Sequence, residues 1–102
     1  RQLDGASSTI NILPEIVDKV GKLVEVHLDG GIRSGQDVVK AMCLGAKGTY
    51  IGRAFLYGLG ALGKEGVTKA LNIIKTETDM TMALCGRRDI HDLNRDNIYN
   101  PK

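Results

Sequence analysis

Two short apolar segments, each ended by glycine and followed by a helical pattern, most constrain the fold of this chain. The first, LVEVHL at residues 23–28, is rich in β-branched residues and precedes Gly30 and Gly31. The second, GTYIG, covers residues 48–52. We expect both to be strands. Helical patterns precede, separate and follow them, and this alternation predicts a parallel sheet with crossover helices.

The first two helical patterns have clear ends. STINILPEIVDKVG carries apolar residues at helical spacing, with Ser8 or Thr9 as N-cap candidates and Gly21 as the stop. SGQDVVKAMCLGA has a similar apolar stripe, with Ser34 as its N-cap and Gly45 as its stop. Each is predicted to be an amphipathic helix.

The third helical pattern is the longest and covers residues 66–86. Its predicted apolar face consists of Val67, Ala70, Leu71, Ile74, Met80, Ala83 and Leu84. The segment RAFLYGLGALGKEG before it is interrupted by glycines and is predicted to be a connection with one short helix. Residues 87–102 are polar and are predicted to lie along the surface.

Two strands alone leave two unpaired edges and an uncovered apolar face, which is a poor basis for independent stability. We therefore expect an α/β segment of a larger fold. The spacing of the strands suits successive βα units of a TIM (β/α)8 barrel, which this chain alone leaves incomplete. A doubly wound sheet is the alternative.

The charge distribution, the cysteines and the length of the apolar runs limit the class of protein that this chain can belong to. The 14 basic and 12 acidic residues are interspersed and give a net charge of +2, so no nucleic-acid partner is predicted. Cys43 and Cys85 lie outside any CxxC pattern, which favours reduced thiols in a cytosolic setting. No run is long and apolar enough to predict a membrane span, and no metal site is predicted.

The ends of the two predicted strands carry the candidate binding residues. In α/β folds ligands bind at the carboxyl ends of strands, where glycine allows close approach and arginine matches phosphate oxygens. We expect Gly31, Arg33, Gly52 and Arg53 to hold a phosphate, helped by the helix N-termini that follow. Asp29 suits the hydroxyls of an attached sugar or polyol. Two ordinary turns with surface arginines are the alternative.

Several segments resemble, in order and spacing, the last quarter of the FMN-dependent α-hydroxy acid dehydrogenase and oxidase family. They are RQLDG, LPEIVDKVG, VEVHLDGGIRSGQDVVKA, LGAKGTYIGRAFLYGL and ETDMTMALCG. The resemblance implies that residues 1–102 form the C-terminal segment of one FMN-binding TIM-barrel domain. It also implies that the ribityl chain and phosphate of FMN are held by Asp29, Gly30, Gly31, Arg33, Gly52 and Arg53.

The resemblance gives Arg1 a catalytic role, because the arginine of RQLD binds the substrate carboxylate in this family. In the family HGG directly precedes that arginine, and its histidine is the catalytic base. We therefore expect the base to lie outside these 102 residues, in the remainder of the barrel or in another chain. Strand alternation places Glu25, His27 and Asp29 on one face, and His27 is predicted to fill the barrel interior beneath the cofactor. Tyr50 is predicted to pack around the last strand.

The resemblance thus implies a flavoprotein oxidoreductase of the L-lactate dehydrogenase or hydroxy acid oxidase type. Its expected reaction converts an L-2-hydroxy acid, with lactate favoured, to the 2-oxo acid, and electrons pass to quinone, cytochrome or oxygen. A homo-oligomer is expected in the cytoplasm, with a peripheral position at the inner membrane as the alternative. Two alternatives stay open: another TIM-barrel flavin or phosphosugar enzyme, and a non-catalytic half-barrel that binds a phosphate ligand.

Overall fold

The computed structural model describes residues 2–99 of the chain. Its elements are, in order, α1 (Thr9–Val20), β1 (His27–Asp29), α2 (Gly35–Cys43), β2 (Gly48–Tyr50), α3 (Arg53–Leu84) and two 3₁₀ turns (Ile90–Asp92 and Arg95–Asn97). The predicted alternation of helices and strands is confirmed.

The two strands are parallel neighbours, as predicted. His27 is aligned with Gly48, and Asp29 is aligned with Tyr50. Both strands are shorter than the sequence pattern suggested. The backbone N–H groups of Leu23 and Val24 donate to the carbonyl of the last residue of α1, so the start of the predicted first strand is a helical turn instead.

Two helices cover one face of this small sheet. α1 begins after Ser8, whose side chain makes no capping hydrogen bond, and ends at Gly21. The buried side chains between α1, α2 and the sheet are Leu13, Leu28, Ile32, Ala41 and Ala46. The face opposite Leu28, which carries His27 and Asp29, is exposed. The alternation of side chains along β1 therefore separates an apolar helix side from an open polar side.

A second apolar cluster joins α2, α3 and the C-terminal segment. Its buried members are Val39, Met42, Cys43, Met82 and Leu93. The prediction that residues 87–102 lie along the surface is therefore wrong for Leu93, which is only 8% exposed. Arg95 connects the C-terminal segment to α1 through an ion pair, in which its Nη2 lies 2.7 Å from Oδ1 of Asp18.

α3 consists of a short helical half and a long helical half separated at Leu62 and Gly63, in agreement with the predicted short helix, connection and long helix. Leu62 and Gly63 have non-helical backbone angles, and Gly63 has φ +58°. Across this kink the backbones of Gly58 and Gly66 lie so close that a Cβ at Gly66 would overlap the Gly58 carbonyl. The two glycines therefore allow the two halves of α3 to cross.

The buried face of α3 differs in part from the predicted one, of which Val67, Ala70 and Ile74 are half-buried. Its buried residues are Gly66, Thr78 and Met82. Leu71, Met80 and Leu84 are exposed, and Leu84 is 87% exposed. Thr78 lies against Gly35 of α2, whereas Gly66 lies against Gly58 within α3.

The 102-residue chain, when produced alone, is expected to self-associate. Its two strands pair only with each other within residues 2–99, and the open sheet face and large apolar side chains of α3 are exposed. Sedimentation across a dilution series should show dimers or larger species. A cooperative thermal melt from a demonstrably monomeric sample would contradict this expectation.

Candidate functional site

The candidate binding residues lie at one edge of the sheet, where both parallel strands end. β1 ends at Asp29, and Gly30 and Gly31 follow with φ +98° and +83°, a backbone region that favours glycine. Gly52 comes two residues after the end of β2 and directly before α3. Apart from the adjoining residues of the chain, no atom among residues 2–99 lies within 4 Å of where a Cβ would stand at Gly31 or Gly52, so the backbone is open there.

The N-terminus of α2 is already occupied by the chain's own carboxylates. Ser34 and Asp37 form a capping box, in which Oδ2 of Asp37 accepts hydrogen bonds from the backbone N–H groups of Arg33 and Ser34 at 3.1 Å. Oε2 of Glu77, on α3, accepts from the N–H of Gly35 at 2.7 Å. Two negative charges thus compensate the positive end of this helix. At the end of β1, the group that can attract an anion is therefore the exposed guanidinium of Arg33.

The N-terminus of α3 differs from that of α2. Its N-cap is Gly52, which has no side chain to accept a capping hydrogen bond, and its first residue is the exposed Arg53. The first N–H groups of a helix have no partner within the helix, and they attract anions together with the helix dipole. Of the two helix N-termini that follow the strands, α3 therefore presents the one suited to a phosphate.

Asp29 supplies a different kind of group at the same edge. Its side chain is exposed and has no hydrogen-bond or ion-pair partner among residues 2–99. A free carboxylate accepts hydrogen bonds and repels phosphate, so it suits hydroxyl groups. The edge therefore combines a hydroxyl acceptor with two arginines and one open helix N-terminus.

The remaining sequence predictions have mixed outcomes. Arg1 lies outside the described residues. His27 lies on the open face of β1, as predicted, and its Nδ1 is 3.3 Å from the hydroxyl of Tyr50. The ring of Tyr50 lies beside that of His27 on the neighbouring strand, and Tyr50 is 57% exposed among residues 2–99. In the sequence, the signal for this pair is Gly48, which stands two residues before Tyr50. In the structure Gly48 is aligned with His27 on the neighbouring strand.

The two cysteines and a surface groove on α3 lie outside the candidate site. Burial raises the pKa of the Cys43 thiol, and the neighbouring Cys85 raises it further, so Cys43 stays protonated at neutral pH. Within residues 2–99 no cluster of side chains has the composition of a metal site. An open groove of about 660 Å³ is lined by eight residues between Lys64 and Glu77 of α3 and by none of the candidate binding residues.

Comparison with known proteins decides the family. Residues 1–100 match the family model described as FMN-dependent dehydrogenase. This chain belongs to that family. It is 50% identical over 90 residues to 2-hydroxyacid oxidase 1 of Mus musculus and 50% identical over 94 residues to L-lactate dehydrogenase of Caulobacter vibrioides. These alignments cover 88% and 92% of this chain and 24% of each relative.

The solved structures agree with that assignment. A soluble mutant of the membrane-associated (S)-mandelate dehydrogenase from Pseudomonas putida superposes with a TM-score of 0.92 and 44% identity, over 99% of this chain and 28% of the other. The α/β fold class is confirmed, and the chain is part of a TIM barrel. It spans about a quarter of the length of these relatives. Among residues 2–99, no helix combines the length and apolar character needed to cross a membrane.

Proposed function

We propose that this chain contributes to an enzyme that uses FMN to oxidise an L-2-hydroxy acid, with lactate as the expected substrate, to the 2-oxo acid. The observation that supports this most strongly is the open N-terminus of α3 with Arg53, beside the unpartnered carboxylate of Asp29. This arrangement occurs in a chain that belongs to the FMN-dependent dehydrogenase family. The equal 50% identities to an L-lactate dehydrogenase and to 2-hydroxyacid oxidase 1 support 2-hydroxy acids as the substrate class, and lactate is the member of that class we propose.

The candidate residues suit the two polar parts of FMN. Arg33 and Arg53 bring permanent positive charge to the phosphate, and the free N–H groups at Gly52 and Arg53 donate to its oxygens. The positive φ angles at Gly30 and Gly31 turn the backbone away after Asp29, which leaves this carboxylate to accept from ribityl hydroxyls. Bound FMN supplies the chemistry that accepts the two electrons removed from the substrate.

We propose that Arg1 binds the carboxylate of the hydroxy acid. A guanidinium forms two parallel hydrogen bonds with a carboxylate, so it fixes both the position and the rotation of the substrate. It stays protonated at ordinary pH and therefore cannot accept the hydroxyl proton. That proton is expected to pass to a histidine in the remainder of the barrel.

The remaining features of the enzyme stay predictions. We expect its other barrel strands to come from the same or another polypeptide, and the enzyme to be a homo-oligomer. A cytoplasmic location is proposed, and the two free cysteines are compatible with it. The electron acceptor can be quinone, cytochrome or oxygen.

The phosphate assignment is tested by FMN affinity in the full-length protein. Arg33→Ala and Arg53→Ala should each raise the Kd for FMN about 10- to 100-fold, because each removes a charge-assisted hydrogen bond of about 1.5–3 kcal/mol. Lys64→Ala is the control, since Lys64 is an exposed cation on α3 outside the candidate site. Fluorescence titration of the apoprotein measures all three constants. An unchanged Kd in both arginine variants would refute the assignment.

A further inference from the structure

The open face of the sheet carries a second polar group beside the proposed flavin site. In the parallel register His27 is aligned with Gly48, and Asp29 is aligned with Tyr50. Aligned residues of parallel strands point to the same face, so all four positions lie on the face opposite the buried Leu28. Tyr50 therefore lies beside Asp29, one strand away.

Glycine at position 48 makes room for the imidazole of His27. A Cβ at Gly48 would lie 3.2 Å from Nδ1 and Cε1 of His27, which is tighter than ordinary van der Waals contact. The imidazole and the Tyr50 ring are tilted by 41° with their centroids 5.8 Å apart. The ring of His27 thus lies over the neighbouring strand and reaches the tyrosine.

Hydrogen bonds orient this pair. Nε2 of His27 is 3.4 Å from Oε2 of Glu25, and Nδ1 is 3.3 Å from the Tyr50 hydroxyl. A carboxylate only accepts, so the consistent tautomer has Nε2–H donating to Glu25 and Nδ1 accepting from the phenol. The phenolic oxygen then keeps its lone pairs for another donor. Tyr50 is 57% exposed among residues 2–99 and is aligned with Asp29, the last residue of β1.

We propose that Tyr50 is a further flavin-binding residue, whose hydroxyl oxygen accepts a hydrogen bond from a ribityl hydroxyl next to Asp29, and that His27 is the positioning residue that holds it. The inference rests on the proposed use of FMN. It gives the polyol chain two acceptors on neighbouring strands, a carboxylate and a phenol. Because His27 holds the ring beforehand, little side-chain freedom is lost when the ligand binds.

The test compares three flavins with full-length apoprotein: FMN, riboflavin, which lacks the phosphate, and lumiflavin, which lacks the whole hydroxyl chain. Tyr50→Phe keeps the ring and removes only the hydroxyl. It should raise the Kd for FMN and for riboflavin about 2- to 10-fold, the usual effect of one neutral hydrogen bond, and leave the Kd for lumiflavin unchanged. Tyr57→Phe is the matched control, because this tyrosine on α3 is 72% exposed.

A second variant addresses the role of His27 through its neighbour. Gly48→Ala places a methyl group against the imidazole and should weaken FMN and riboflavin binding in the same way, with no further loss when combined with Tyr50→Phe. Equal losses for all three flavins, or none, would overturn the inference while leaving the proposed function intact. Failure of the wild-type apoprotein to bind FMN at all would overturn both.

Discussion

Gly35→Ala is expected to lower the free energy of unfolding of the full-length protein by about 3–5 kcal/mol. A Cβ at Gly35 would overlap the backbone of Glu77 and Thr78, where α2 packs against α3. Backbone cannot rotate away as a flexible side chain can, so the two helices must separate. Overpacking of this kind costs about 1–3 kcal/mol. Separation also breaks the charge-assisted hydrogen bond from Gly35 N–H to Glu77, worth about 1.5–3 kcal/mol.

Gly60→Ala is the matched control for this substitution. Gly60 lies within α3, and nothing is within 4 Å of the position that its Cβ would take. Alanine there should stabilise the helix by about 0.5–1 kcal/mol, because glycine loses more backbone freedom on folding. Denaturant unfolding of the two variants should therefore move in opposite directions. Equal midpoints for Gly35→Ala and wild type would show that α2 and α3 do not meet as described.

Local signals predicted the elements that depend on local chemistry. Ser34 was identified as an N-cap because serine precedes a helical pattern, and the structure has a capping box there. The strand order followed from the alternation of patterns, and β1 ends directly before Gly30, as the sequence indicated, whereas β2 ends two residues before Gly52. Such features are determined within a few residues of chain, so their signals are present in any short window.

Features that depend on distant residues could not be predicted in this way. Glu77 occupies the N-terminus of α2 from 42 residues away in the chain, and no local pattern links it to Gly35. This contact adds a second carboxylate to the local capping box of Ser34 and Asp37, and the two together occupy the N-terminus of α2. The burial of Leu93 likewise depends on Met82 and Val39, which belong to other elements. The sequence thus located the edge that carries the candidate site but not the electrostatic difference between its two helix N-termini.

Arg1→Met in the full-length enzyme is expected to lower kcat/KM for lactate by about 10²-fold or more while FMN stays bound. Methionine keeps similar bulk but cannot pair with a carboxylate, and truncating one partner of a hydrogen-bonded charge pair costs about 2–5 kcal/mol. The loss should appear in KM, through weaker binding, and in kcat, through poorer orientation over the flavin. Steady-state turnover with an added electron acceptor measures both constants, and Arg88→Met, an exposed arginine after α3, is the control. Lactamide, which carries no carboxylate, should react equally slowly with wild type and Arg1→Met. A variant that oxidises lactate as fast as wild type would show that another residue binds the carboxylate.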